Sequence, residues 1–194
     1  MSIFKGDIDI DVASRDEALK SVRHVRAMIR TKDDKEQVHN VGIYVQDIPA
    51  NPITGMATFE YKIAEELGYQ KIDVLNNSIY EEVEDEAHLD ALCEECMVQW
   101  DLMEHEEFVD QLPHLTGHFD IVNSIRPRNV DDLAVALAII RPAKRHLVGR
   151  SRIDIDKEIW DKPADGGYHF KRAHSYAYAM SLVVKMNLIT EKIY

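Results

Sequence analysis

Residues 7–12 read Asp-Ile-Asp-Ile-Asp-Val. Strict alternation has the period of a β-strand, whose successive side chains point to opposite faces. The segment therefore predicts a strand with one apolar face and one face made only of Asp7, Asp9 and Asp11. Carboxylates at every second position of a strand lie about 6.5–7 Å apart and repel one another. Such a face is stable against water, or against cations that compensate it. Two-metal phosphoryl-transfer centres place carboxylates around ions about 3.5–4 Å apart, and Mg²⁺ takes oxygen ligands. A solvated acidic edge strand accounts for the same spacing without any ion. On spacing alone both readings stay open. Lys71-Ile72-Asp73 could bring a further carboxylate from a neighbouring strand.

The remaining patterns predict an α+β chain. Ser14 and Glu17 form a capping box for a helix over 15–30, with Ala18, Val22, Val25 and Ile29 as its apolar stripe and Arg23, Arg26 and Arg30 on another face. Strands are expected over 41–45, near Thr58 and over 71–75. A Pro-rich loop is expected over 47–55, and a helical turn over 63–67 that Gly68 ends. Residues 81–112 are expected to be mostly helical, with 113–119 as a break. An apolar helix over 130–140 is capped by Asn129 and stopped by Arg141-Pro142. Gly166-Gly167 marks a turn. A last helix runs over 170–189, with Ala177, Met180, Val184 and Leu188 on one side.

Charge divides the chain in the same way. The net charge is −12, which taken whole argues against nonspecific nucleic-acid binding. Yet residues 81–119 hold 13 acidic side chains and no Lys or Arg, while residues 120–194 hold 13 basic and 9 acidic ones. The C-terminal part could therefore still face an anion. No apolar run reaches the ~18 residues of a membrane span. The N-terminus has acids where a signal peptide has an apolar stretch, and two cysteines make no disulfide framework. The expected setting is the cytoplasm.

Several segments, in one order, resemble the C family of DNA polymerases, the catalytic subunits of bacterial replicases. Residues 6–12 are similar to its P-D-I-D-I-D-F palm motif, with Gly6 in place of proline. His39-Asn40-Val41-Gly42-Ile43-Tyr44 is similar to its K-H-A-G-G-V-V segment. Thr58-Phe59-Glu60 and Lys71-Ile72-Asp73-Val74-Leu75-Asn76 resemble its Q-F-D and K-F-D-F-L-G stretches. Residues 126–142, RPRNVDDLAVALAIIRP, resemble the fingers helix that ends in R-P-G-P. Residues 168–179, YHFKRAHSYAYA, resemble F-N-K-S-H-A-A-A-Y.

The resemblance implies a small palm-like nucleotidyltransferase sheet over 1–80. A mostly helical fingers-like region over 81–194 follows, acidic over 81–119 and basic over 120–194. It implies Asp9, Asp11 and Asp73 as catalytic ligands of two Mg²⁺ ions, with Asp73 as the base near the primer 3′-OH. It implies Lys71, Arg141, Lys171, Arg172 and His174 as nucleotide contacts, a role that suits phosphate neutralisation. DNA primer-template and dNTP are the implied substrates, and DNA replication the implied setting. The family's phosphoesterase-like domain, upstream palm motif, thumb, clamp-binding and template-binding regions have no counterpart here. Its R-P-G-P has become Arg141-Pro142-Ala143-Lys144. The expectation is thus a truncated palm-and-fingers module that adds dNMP to a 3′-OH with help from partner chains or further copies. The alternative is an inactive homologue that contacts replication proteins or DNA through its acidic segment.

Cys93-x₂-Cys96 and His114-x₃-His118 carry the end spacings of a structural zinc site. The intervening 17 residues are long for one, and Glu94 and Glu95 oppose thiolate formation. Two thiols one turn apart and two loop histidines fit the same positions. His88 and His105 are alternative ligands. The acidic segment is either a solvated face or a surface for a partner, and Met97, Trp100, Met103 and Phe108 within it read as core.

Overall fold

The alternating segment forms strand β1 over Ile8–Val12. Asp7 lies outside the residues described by this computed structural model, which are 8–162 and 170–192. Helix α1 spans Arg15–Lys20, with Ser14 Oγ accepting from Glu17 N at 3.4 Å. The helix expected over 15–30 therefore ends at Ser21, and residues Val25–Arg30 form strand β2. Val25 and Ile29 are β-branched and fit a pleated sheet better than a helix. β2 also pairs on both edges, so tertiary pairing overrides a weak helical pattern. The three arginines then share no helix face. Arg26 Nη2 donates to Thr54 O at 2.9 Å, and Arg30 pairs with Asp34 and Glu36.

Strand β3 runs over Glu36–Tyr44, β4 over Met56–Glu60 and β5 over Ile72–Asn76. Helix α2, Tyr61–Glu66, follows β4 directly, and Gly68 leaves it at φ +93°, a conformation open to glycine. The sheet order is β1-β5-β3-β2-β4. The outer pairs β1–β5 and β2–β4 are parallel, and the inner pairs are antiparallel. Ala27, Tyr44, Ile48, Ala57 and Ala64 form a buried cluster, with Val25, Phe59 and Tyr69 packed against it.

The chain divides into two compact units, residues 1–82 and 83–194. The second is helical. Its acidic stretch is not the mostly helical run expected over 81–112. It breaks into α3 (Glu86–Leu92), 3₁₀ turns over Glu95–Met97 and Trp100–Glu104, and α4 (Glu106–Val109). The stretch holds no Lys or Arg, so a long helix there would have no opposite-charge i,i+4 pairs to offset repulsion between acids. Arg128 supplies the missing cation from outside, pairing with both Asp101 and Glu104. Met97 is exposed, against expectation, while Met103 and Phe108 are buried.

After α5 (Phe119–Ile125), helix α6 spans Val130–Ile140. Asn129 caps it, its Oδ1 accepting from Asp132 N at 2.8 Å. Apart from Asp131 and Asp132, every residue of α6 is buried. A 3₁₀ turn over Pro142–Leu147, α7 (Arg152–Glu158) and α8 (Arg172–Glu191) complete the unit. Ser175 Oγ ties α8 to α6 by donating to Ala134 O at 2.6 Å. The apolar side of α8 is wider than the expected stripe. Val184 and Leu188 are buried as expected, but so are Ser181, Leu182, Val183, Met186 and Asn187, and Ala177 is exposed. The expected Gly166-Gly167 turn and the start of the 168–179 segment lie outside the described residues.

Candidate functional site

In the parallel β1–β5 ladder Asp9 stands opposite Asp73, and in the β5–β3 ladder Asp73 stands opposite Gly42. Directly paired residues share a sheet face, as do residues two apart on a strand. Asp9, Asp11, Lys71, Asp73 and Gly42 therefore lie on one face. Asp9 is exposed and Asp11 half-buried. Asp11 Oδ2 accepts from Asn77 Nδ2 at 3.1 Å, just past the end of β5. Asp73 and Lys71 form an ion pair with side chains about four-fifths buried. The Lys71 ammonium also lies 5.8 Å from the centroid of Tyr61, the first residue of α2.

Gly42 makes the close packing around this pair possible. A Cβ there would stand 2.9 Å from both His39 Nδ1 and Lys71 Cδ and 3.1 Å from Ala27 Cβ. The backbone beside it is irregular. Arg26 faces Ile43, but Met28 faces Val38, so β3 carries extra residues around His39–Val41. Such a bulge leaves backbone N–H groups without ladder partners. His39 supplies the acceptor: its Nδ1 takes hydrogen bonds from Gly42 N at 2.9 Å and Val41 N at 3.4 Å. The ring packs edge-on against Tyr61 at 5.7 Å. Burial, and then the Lys71 charge, push the His39 pKa down against a smaller opposing pull from Asp73. A neutral ring with a bare Nδ1 is the state these two bonds require.

Tyr44, fully buried two residues further along β3, has a hydroxyl with no hydrogen-bond partner among the described residues. Burial pushes its pKa up to about 12, with the charges of Asp73, Glu60 and Glu65 adding to the rise.

The basic residues sit on the helical unit. Arg141 follows α6, its guanidinium 4.7 Å from the Phe170 ring and its Nε buried without a partner among the described residues. Lys171 is the N-cap of α8 and Arg172 its first residue. Arg172 Nη2 lies 3.3 Å from Asp131, and the guanidinium 5.9 Å from the Trp160 ring. His174 is half-buried on the first turn.

Cys93 caps the C-terminal end of α3, and burial together with Asp90 and Glu94 raises its thiol pKa. Cys96 is exposed, its Sγ 3.9 Å from Glu94 Oε2. His114 has φ +68° and packs edge-on against Tyr178 at 4.8 Å, and His118 is the N-cap of α5. Among the described residues, no three His, Cys, Asp or Glu side chains converge as a metal centre requires.

No protein-family model matches the chain, and no curated protein matches it. The carboxylate face has to be interpreted from its own chemistry. His39, Gly42 and Tyr44 appear in the sequence only inside one similar segment, and Tyr61 and Asn77 carry no signal at all. A glycine within a strand pattern is the one local cue, since it often marks a close approach.

Proposed function

We propose that the sheet unit carries a nucleotidyl-transfer site built on Asp9, Asp11 and Asp73, of the kind that joins a dNMP to a primer 3′-OH and releases pyrophosphate. The observation that supports it is the pairing of Asp9 with Asp73 across a parallel ladder, on the same face as Asp11. The donors are all oxygen, which suits Mg²⁺. Asp9, Asp11 and Asp73 would hold the ions, which when bound supply charge neutralisation at the transferring phosphoryl group. Lys71 already compensates Asp73. Ion binding would release its ammonium for a phosphate oxygen, a point-charge contact typical of lysine. Gly42, opposite Asp73, lets Lys71 and His39 pack closely against the sheet beside it. Asp73 would accept the 3′-OH proton. Arg141, Lys171, Arg172 and His174 are proposed as nucleotide contacts on the strength of the sequence resemblance. Partner chains or further copies of this one would supply the remaining grip on DNA.

The Lys71–Asp73 pair also favours a second reading. A carboxylate neutralised by its own neighbour needs no metal, and the chain would then act by contacting replication proteins or DNA, with the acidic stretch 81–112 as its binding surface.

Calorimetric titration of Mn²⁺, with and without a dNTP, separates the two. The first reading expects nucleotide-coupled binding to the wild-type chain that is lost in Asp9→Ala and in Asp73→Ala. Absence of binding in the wild-type chain, with dNTP present, selects the second. Charge reversal along 81–112 should then abolish capture of the partner.

A further inference from the structure

Arg15 is the first residue of α1 and stands four positions after Asp11. Its backbone is fixed at the carboxyl ends of the two strands that carry the aspartates. Arg15 N donates to the side chain of Asn76, the last residue of β5, at 2.6 Å. The next residue, Asn77, donates from its backbone to Val12 O at 2.8 Å and from its amide to Asp11 Oδ2 at 3.1 Å. Arg15 itself is half-buried, and its Nε is buried with no partner among the described residues.

That state is unusual in this chain. Arg30 and Arg152 each have an acid four residues on, Asp34 and Asp156, and pair with it. The positions three and four after Arg15 hold Ala18 and Leu19. Asp16 is adjacent, and adjacent residues do not face each other on a helix. Glu17 pairs with Lys20. No carboxylate takes the Arg15 guanidinium among the described residues. A guanidinium stays charged and carries five donors, and a buried donor left unmet calls for an explanation.

The position of Arg15 suggests what meets it. In the proposed reaction Asp73 accepts the 3′-OH proton. Asp9 stands opposite Asp73, Asp11 opposite Leu75 two residues nearer the carboxyl ends, and Arg15 follows beyond those ends. Attacking and leaving oxygens lie roughly in line in phosphoryl transfer. With the attacking oxygen at Asp73, the leaving group lies toward the carboxyl ends of β1 and β5, the side where open sheets commonly take ligands. The planar fork of arginine matches phosphate oxygens two at a time.

We infer that Arg15 binds the pyrophosphate portion of the incoming nucleotide and the pyrophosphate released from it. The inference rests on the nucleotidyl-transfer reading and adds a second cation of the sheet unit, after Lys71, to its phosphate contacts.

The test is calorimetric titration of pyrophosphate, and separately of dATP, into the full chain with Mn²⁺ present. Wild type, R15M and R15K are compared. Methionine keeps an unbranched apolar stem and removes the guanidinium. R15M should weaken pyrophosphate and dATP by at least about tenfold, a difference of about 1.4 kcal/mol. R15K should recover only part of this, because an ammonium lacks the fork. Mn²⁺ alone should bind R15M as well as it binds wild type, which also shows that the variant is folded. Pyrophosphate binding in R15M within about twofold of wild type, or equal loss of Mn²⁺ and pyrophosphate, overturns the role of Arg15 and leaves the nucleotidyl-transfer reading standing. A wild-type chain that binds neither dATP nor pyrophosphate with Mn²⁺ overturns both.

Discussion

Tyr44 and His39 sit on the same strand and carry opposite electrostatic burdens. The Tyr44 hydroxyl is buried without a partner among the described residues, and an unmet donor of this kind costs about 1–3 kcal/mol. Tyr44→Phe removes the cost and keeps the ring. Urea denaturation should show a variant at least as stable as the wild type, and more stable by about 1 kcal/mol if the penalty is typical. The same substitution should delete a tyrosine that titrates late, near 12, from an ultraviolet pH titration. For His39 the sign is reversed. Its pKa is held below the ordinary 6.5 in the folded chain, so the unfolded chain binds the extra proton first as pH falls. The stabilisation is complete above about pH 6.5 and is lost as pH drops through the folded value. Protonation also removes the lone pair that accepts from Gly42 and Val41. Urea midpoints should therefore fall between about pH 7.5 and 5.5, and fall less in His39→Asn, with the other histidines common to both chains.

Among the elements, α6 is the one most fully legible beforehand. An Asn cap, an eight-residue apolar run over 133–140 and Arg-Pro mark its ends, and Asn129 and Ile140 bound it in the structure. Asn129→Ala should cost about 1 kcal/mol of stability, measured by thermal or chemical unfolding. β1 was legible for a related reason, because strict alternation has no helical counterpart. β2 was not: six residues with apolar groups at Val25, Met28 and Ile29 satisfy a helical spacing as well as a strand, and only pairing with β3 and β4 decides. The acidic stretch failed differently. Its composition is helical, but the cation that pins it, Arg128, comes from outside the stretch. The candidate site divides along the same line. Asp9 and Asp11 announce themselves by alternation. Asp73 joins them through a pairing that no local pattern encodes, and the His39 bulge, the Tyr61 ring and the Asn77 bond exist only once the sheet is assembled.

At the scale of the whole chain, charge is unevenly spent. The 13 acids of residues 81–119 have no basic neighbour within that segment, and self-repulsion opposes the compact state. Screening should relieve it. Raising salt from about 0.02 to about 0.3 M shortens the Debye length from roughly 20 Å to below 10 Å, and the melting temperature should rise. A flat or falling dependence would mean that surface pairs such as Arg128 with Asp101 and Glu104 outweigh the repulsion. The parallel ladder between β1 and β5 has a consequence in time. Asp11 and the Asn77 that holds it are 66 positions apart. At about 5–20 residues per second of synthesis, the first strand waits roughly 3 to 13 seconds for its partner. A nascent strand with a free edge is a template for the wrong neighbour, and charged side chains are a known defence. The aspartates that mark the candidate site also keep the waiting strand from pairing with another nascent chain.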